Sequence, residues 1–462
     1  MTTDISMKEY FSYFKDKRLI SIFIFGMASG FPWVLIGSVM SAWLKDEGLS
    51  RSTIGLFGLV FGAYSINFLW SPLIDRIKLP FLNKLFGLRR SWILFTQFFI
   101  IITTFLLSTV DISTNLKLAA ILSIIIAIAS ATQDISIDAF RIDTLAENES
   151  HKATAAAAMA TSGWWSGYAL LGTVPFFFAD LPGWNWNNIY LVLAFMMACL
   201  SLCVFWVKEP ESNREKKQSE LETHYQNTLF SHNKNAFISK ITSWLLVTLI
   251  APFSEFFKRN GVKTALALLA FIFLFKAGEA FLGRMSIVFY KEVGFTNTQI
   301  GMYSKFGTGV ITIIFAFLGS LFNHKYGIVK GLFISGIAMA ASNLLFAVIA
   351  MIGPVEWMYA LTVVVDGFTQ AWSLVAMVAF LSMLCDRSFT AAQYALLASL
   401  GNFSRTLLSS SSGILVDWLN GNWALFFVLT AVMVIPSLVF LYLIRHHLYR
   451  LEANFHNKES VK

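Results

Sequence analysis

Residues 45–55 read Lys45-Asp-Glu-Gly48-Leu-Ser-Arg51-Ser-Thr-Ile-Gly55, and residues 291–301 read Lys291-Glu-Val-Gly294-Phe-Thr-Asn-Thr-Gln-Ile-Gly301. The lysine, both glycines, a hydroxyl residue and the isoleucine recur at a single offset of 246. Each copy joins one long apolar run to the next. A weaker echo links Thr154-Ala-Ala to Thr390-Ala-Ala, in the same order along the chain. Two such matches imply a tandem of two similar halves in parallel orientation.

The apolar runs around these loops set the class. A membrane-crossing helix needs about 20 mostly apolar residues. Windows of that size place helices near 19–44, 54–74, 92–110, 117–140, 154–178, 188–207, 264–290, 298–322, 331–352, 357–383, 391–416 and 423–445. Composition agrees: 56% of the 462 residues are hydrophobic, 45 are Phe, and only 13% are charged, against roughly 25% in soluble domains. A water-soluble globule, a disordered chain and a disulfide scaffold are excluded on these figures. Long continuous runs, not short alternating ones, also exclude a transmembrane barrel. The expected fold is an all-α membrane protein of twelve transmembrane helices in two six-helix bundles. The bundles occupy 1–207 and 264–462, with a cytoplasmic linker at 208–263. Within the linker, residues 241–253 form an apolar stretch too short to cross, which reads as an interfacial helix.

Charge orients the spans. With the N-terminus cytoplasmic, 27 Lys or Arg fall on cytoplasmic segments and four (Lys45, Arg51, Lys117, Lys291) on the opposite face. That asymmetry predicts a multi-pass protein with both termini cytoplasmic. It also accounts for the net charge of +8 without a nucleic-acid partner. No cleavable signal peptide is read at the start, because the first apolar run is too long. Cys199, Cys203 and Cys385 suggest no disulfide. Neither a phosphate-binding loop nor HExxH is present, and the His residues form no ligand set. No enzyme activity, metal or cofactor is expected; the partners are lipid and a small-molecule substrate, bound by a monomer.

Polar groups inside the spans are costly, so they line a cavity or pair. Asp134 and Asp138 are four residues apart on one face of span four, with Ser130 above and Arg141 below. The pair reads either as a proton site, with Asp134 the better carrier, or as an Asp138–Arg141 anchor. Lys276 and Glu279, three apart in span seven, either neutralise one another or part when an anion arrives. Lys305 in span eight and Arg405 in span eleven are cations suited to substrate carboxylates. Asp366 in span ten is a further proton candidate, or a partner for Arg405. Trp33, Trp164 and Trp165 lie deep in their spans, unlike interfacial belt residues such as Trp184 and Trp186, and either stack on substrate or pack helices. Gln133 and Gln370 add hydrogen-bonding capacity. Gly26 and Gly30, four apart, read as a close helix contact.

Three segments resemble the AmpG family of muropeptide permeases, within the major facilitator superfamily. They are Gly26-Met-Ala-Ser29-Gly30-Phe-Pro32, Phe68-Leu-Trp70-Ser-Pro72-Leu-Ile-Asp75-Arg76, and Ala131-Thr-Gln133-Asp134-Ile-Ser-Ile-Asp138-Ala-Phe-Arg141-Ile-Asp143. The run from Asp75-Arg76 to Gly87-Leu-Arg89-Arg90 is similar to the superfamily's cytoplasmic loop motif. That similarity implies gating roles for Asp75, Arg76, Arg89, Arg90 and Arg141; the alternative is that the loop arginines are topology anchors. The resemblance implies proton-coupled import of anhydro-muropeptides, products of peptidoglycan breakdown, across the bacterial inner membrane. Departures fall where substrate would sit: Trp164-Trp165 stands where a basic residue is expected, and span ten reads Asp366-Gly-Phe-Thr-Gln370-Ala-Trp372. A siderophore or other anionic metabolite is the alternative cargo, and a non-transporting membrane sensor or enzyme the alternative class.

Overall fold

The computed structural model describes residues 7–49, 57–146, 149–179, 181–210, 218–220, 223, 242–300, 302–303 and 307–457. Every regular element among them is helical. Among the described residues nine helices are long and apolar enough to cross a membrane. They are Lys17–Leu44, Leu88–Leu107, Leu116–Thr144, Trp186–Phe205, Val262–Val293, Thr308–Tyr326, Ile328–Ile352, Glu356–Leu384 and Trp423–Phe455. These coincide with expected spans one, three, four, six to ten and twelve. Phe98, Phe195, Met351 and Leu443 point outward from them, as helices facing lipid require.

The segments expected as spans two, five and eleven are helical among the described residues but are not among those nine. Residues 58–74 form a series of short α and 3-10 turns. Residues 153–179 pass through a π-helical turn at Ser166–Leu170. Helix Thr390–Ser410 carries Ser399, Asn402, Ser404, Arg405 and Thr406. The reason is their location. These segments face the opposite half: Ser399 Oγ donates to Asn67 Oδ1 at 2.6 Å, and Ser162 Oγ to the Ile313 carbonyl at 3.3 Å. A segment that faces protein need not be apolar all round.

Each half has its own core. One cluster draws its buried residues from Phe31 to Met197, another from Phe281 to Phe427. The repeat read in the sequence is visible in the backbone. Gly48 and Gly294 both have positive φ, 76° and 109°, where glycine avoids a Cβ clash. The Leu49 amide reaches the Leu44 carbonyl at 3.1 Å, and the Phe295 amide reaches Tyr290 at 2.9 Å. Both loops therefore close spans one and seven with the same wide C-terminal turn.

Spans one and five pack backbone to backbone. A Cβ on Gly26 would meet the Ala160 carbonyl at 2.7 Å, and one on Gly30 would run into the Trp164 carbonyl. Gly163 returns the contact against Phe23. The glycine spacing thus serves close helix packing.

The linker helix is longer than expected. It is helical from 242, through a π turn at Leu246–Ile250, to Ala251–Asn260. Its Val247 and Ala251 are buried against Phe389, and the Gln393 amide donates to the Pro252 carbonyl at 2.8 Å. One face is covered by protein beneath spans ten and eleven, which extends the helix beyond its apolar stretch.

Among the described residues, hydrogen bonds between the halves gather towards the basic face, bordered by Met7–Tyr13 and the end of the last helix. Two bonds at the other face stay within a half. Trp186 Nε1 donates to Asp46 at 2.8 Å, and Trp423 Nε1 to Glu292 at 2.7 Å.

Candidate functional site

An aromatic wall rises from spans one, two and five. The Trp33 ring lies 4.8 Å from Phe61, 4.5 Å from Tyr64 and 5.7 Å from Trp164. Trp164 stands edge-on to Trp165 at 5.6 Å and stacks on Tyr168 at 5.1 Å with 24° between planes. The π turn at Ser166–Leu170 sets the register of Tyr168 against Trp164; such turns recur at functional sites. Trp33, Trp164, Trp165 and Tyr168 are all half-buried, so their faces border accessible space.

Asp134 adjoins that wall. It is half-buried and accepts a 2.6 Å hydrogen bond from Ser29. Trp33 Nε1, the Tyr64 hydroxyl and the Ser130 hydroxyl are buried around it. Asp138, one turn along and one-third exposed, is bound by Arg141 at 3.1 Å. Arg141 reaches across to Ser382 of span ten at 2.7 Å and lies over the Tyr394 ring at 5.0 Å. The two carboxylates therefore have different settings. Asp138 is held by a guanidinium, and Asp134 has neutral donors only.

The second half holds its own polar cluster. Lys276 Nζ donates to Glu279 and, at 2.8 Å, to Ser373. Asp366 accepts from Ser342 at 2.9 Å and from Gln370 at 2.5 Å. It is Gln370 and Ser342, not Arg405, that partner Asp366. Arg405 is exposed, forms no ion pair among the described residues, and lies within electrostatic reach of Tyr168 in the other half. Lys305 lies outside the described residues.

At the basic face the loop acids and arginines separate into two sets. Arg89, 1% exposed, bonds Asp75 at 2.7 Å, Asp143 at 2.9 Å and Thr390 of span eleven at 2.6 Å. The Asp75 carboxylate also accepts from the backbone of Ala391 and Ala392. Arg141 adds the bridge to span ten. Arg90 stays within its half, donating to the Val204 carbonyl at 2.8 Å. Arg76 faces the linker, bonding Gln218 at 3.1 Å and lying 5.7 Å over the Trp244 ring. Gln218 in turn donates to the Ser388 carbonyl at 2.7 Å.

Gln133 is fully buried and donates to the Ala28 carbonyl at 2.6 Å, joining spans one and four away from accessible space. Trp186 also differs from expectation. It is 9% exposed and bonded to Asp46, a structural role and not a lipid-headgroup one. Ser29, Tyr64, Tyr168, Ser342, Ser373 and Thr390 escape a reading based on charge, because each is a common residue whose role comes only from its neighbours. Thr390 alone had a signal, the echo of Thr154-Ala-Ala.

Residues 20–310 match the family described as Major Facilitator Superfamily. The chain is 32% identical to the putative transporter AmpG 4 of Rickettsia felis, over 93% of this chain and 96% of that one. It is 28% identical to the anhydromuropeptide permease of Escherichia coli K12, over 96% of this chain and 83% of that one. Among solved structures it resembles the proton:xylose symporter XylE bound to 6-bromo-6-deoxy-D-glucose, with TM-score 0.63 and 15% identity over 93% of this chain and 95% of that one. The human organic anion transporter MFSD10 is similar in fold, with TM-score 0.58 and 15% identity over 92% and 99% of the two chains.

Proposed function

The chain belongs to the major facilitator superfamily and, within it, to the AmpG family of transporters, and on that premise we propose that it imports anhydro-muropeptides together with protons across the bacterial inner membrane. The basic face is cytoplasmic in this reading, by the 27-to-4 split of basic residues. The chain works as a monomer of two bundles, 1–207 and 264–462, tied by the linker 208–263.

One juxtaposition carries the reading: an aromatic wall on the first half, which adjoins Asp134, comes within electrostatic reach, at Tyr168, of Arg405 on the second, a guanidinium with no ion pair among the described residues. With the cytoplasmic face shut, this region is approached from the periplasm. Sugar rings stack on Trp33, Trp164 and Trp165, as indole faces favour. Substrate carboxylates meet Arg405 and Lys305, and draw Lys276 away from Glu279. A proton taken by Asp134 removes its charge from a region of low dielectric, so protonation and substrate binding both favour closing over the site. Asp366 and Glu279 form a second acidic pair in the other bundle, and Asp138 with Arg141 ties proton state to the cytoplasmic closure.

Uptake of radiolabelled anhydro-muropeptide into cells lacking their own permease tests the proposal. Accumulation that collapses with a protonophore is the expected result. No uptake above empty cells would overturn it.

A further inference from the structure

Helix Met7–Tyr13 lies across the basic face where span five meets span eight. Tyr10 is fully buried, and its hydroxyl bonds Ser320 of span eight. Its ring lies 4.7 Å from His324, and the Phe14 ring meets Phe317 edge-on at 5.0 Å. The same segment grips the first half. Tyr13 lies 5.4 Å from His151 at the foot of span five, and the Lys152 ammonium sits 5.9 Å over the Tyr13 ring. A turn at 14–15 then leads to Asp16, which caps span one by accepting from the Arg18 amide at 3.0 Å and binds Lys152 at 3.1 Å. His324 Nδ1 lies 3.1 Å from the His151 carbonyl oxygen, so the segment is packed around a direct contact between the halves.

Opening this face requires spans five and eight to part. Whatever is bonded to both must release one of them. The chain continuity at Asp16 and the Arg18–Glu149 pair keep the segment on the first half, so the contacts to lose include Tyr10–Ser320, Tyr10–His324, Tyr13–His324 and Phe14–Phe317. A stretch needed only to anchor the start of span one has no reason to bury an aromatic side chain against the other bundle. We propose that residues 7–16 are a strap that holds the basic face closed and sets how often it opens. Its described contacts run to Ser320, His324, Phe317, His151 and Lys152, none of them assigned to substrate or proton, so it governs the conformational step and not recognition.

Cys385 supplies a native reporter. It is 8% exposed and lies among Asp75, Asp138 and Arg141 of the opposite half. In a Cys199→Ala, Cys203→Ala background it is the sole thiol, and its maleimide labelling rate in proteoliposomes reads opening of this face without any substrate. Two variants test the strap: deletion of residues 1–14, and Tyr10→Ala with Phe14→Ala. Either is expected to speed labelling about tenfold or more, the shift that ~1.4 kcal/mol produces. Unchanged rates in protein of unchanged helicity would overturn the proposal. Should both variants fail to fold, Phe14→Cys with Phe317→Cys bridged by a bis-methanethiosulfonate, from which each thiolate displaces methanesulfinate to form a disulfide that a reductant later cleaves, decides the matter. The bridge is expected to suppress Cys385 labelling until it is cleaved; labelling at the unbridged rate would refute a strap that must let go.

Discussion

The Oδ2 atom of Asp75, at the end of span two, lies 3.0 Å from the backbone nitrogen of Ala392 in the first turn of span eleven. Its other oxygen lies 3.3 Å from Ala391 nitrogen and 2.7 Å from Arg89. A helix N-terminus exposes unpaired N–H groups and a partial positive charge, so a carboxylate of one half completes a helix of the other. When the halves part, that helix end and Arg89 must both find water.

Asp75→Asn is therefore expected to loosen the basic face. The amide oxygen still accepts a hydrogen bond, but the charge at the helix end, about 0.3–2 kcal/mol, is lost, and Arg89 is left with one carboxylate, Asp143, and the Thr390 hydroxyl. Faster thiol labelling of Cys385 is the expected readout, and a wild-type rate would remove Asp75 from the latch. Arg89→Gln should cost more, about 3–5 kcal/mol, because it leaves two buried carboxylates facing each other. A lowered thermal midpoint measures that loss.

Asp134→Asn separates proton coupling from binding. A neutral amide mimics the protonated acid and can still meet Ser29. Exchange of substrate across a proteoliposome should survive while uphill uptake driven by a proton gradient disappears. Normal accumulation by the variant would pass the role to Asp366 or Glu279.

Arg405 separates recognition from charge balance. A charge-assisted hydrogen bond contributes roughly 1.5–3 kcal/mol, so Arg405→Gln should weaken substrate affinity about 10- to 150-fold. Arg405→Lys should also weaken it if the guanidinium fork engages both carboxylate oxygens. Because Asp366 is satisfied by Ser342 and Gln370, adding Asp366→Asn is not expected to restore what Arg405→Gln removes. Full recovery of transport in that double variant would show that Arg405 only balances Asp366.

How much of this was legible depended on range. Spans made of apolar residues declare themselves through water's aversion to them, and nine appear where the windows placed them. The recurrence of Gly48 at Gly294 is legible as a spacing, and the backbone supplies its reason, a positive φ at both. Spans two, five and eleven were placed, but their irregularity was not foreseen, since it follows from facing the other half. The bonds of Asp46 to Trp186 and Glu292 to Trp423 are a further trace of the duplication. They stayed hidden because an indole and an acid far apart in sequence have no spacing rule. Arg141 and Asp143 show the same limit within one helix. Two residues apart they diverge, one to Asp138 and the other to Arg89; the first set meets spans ten and eleven through Ser382 and Tyr394, the second meets span eleven through Thr390.

The strap's anchor offers a test by acid. Glu149 is held at about 2, well below the ordinary carboxylate range, first by hydrogen bonds from Arg18 and then by Lys152 and the Ala146 amide, against some burial. For Asp16 burial pushes upward, yet the bonds from Arg18 and Lys152 outweigh it and leave it at about 2. A carboxylate whose folded pKa is depressed binds protons more readily once released, so its stabilising effect is complete above its ordinary pKa and fades as pH falls towards the folded value. Attachment of the strap should thus weaken between about pH 5 and pH 2. Thermal midpoints of wild type and Glu149→Gln should differ at neutral pH and converge near the acid end. Arg18 is 42% exposed, so added salt should narrow the neutral-pH gap by screening. Curves that stay parallel from pH 7 to about pH 2 would show that the ion pairs contribute nothing to the anchor.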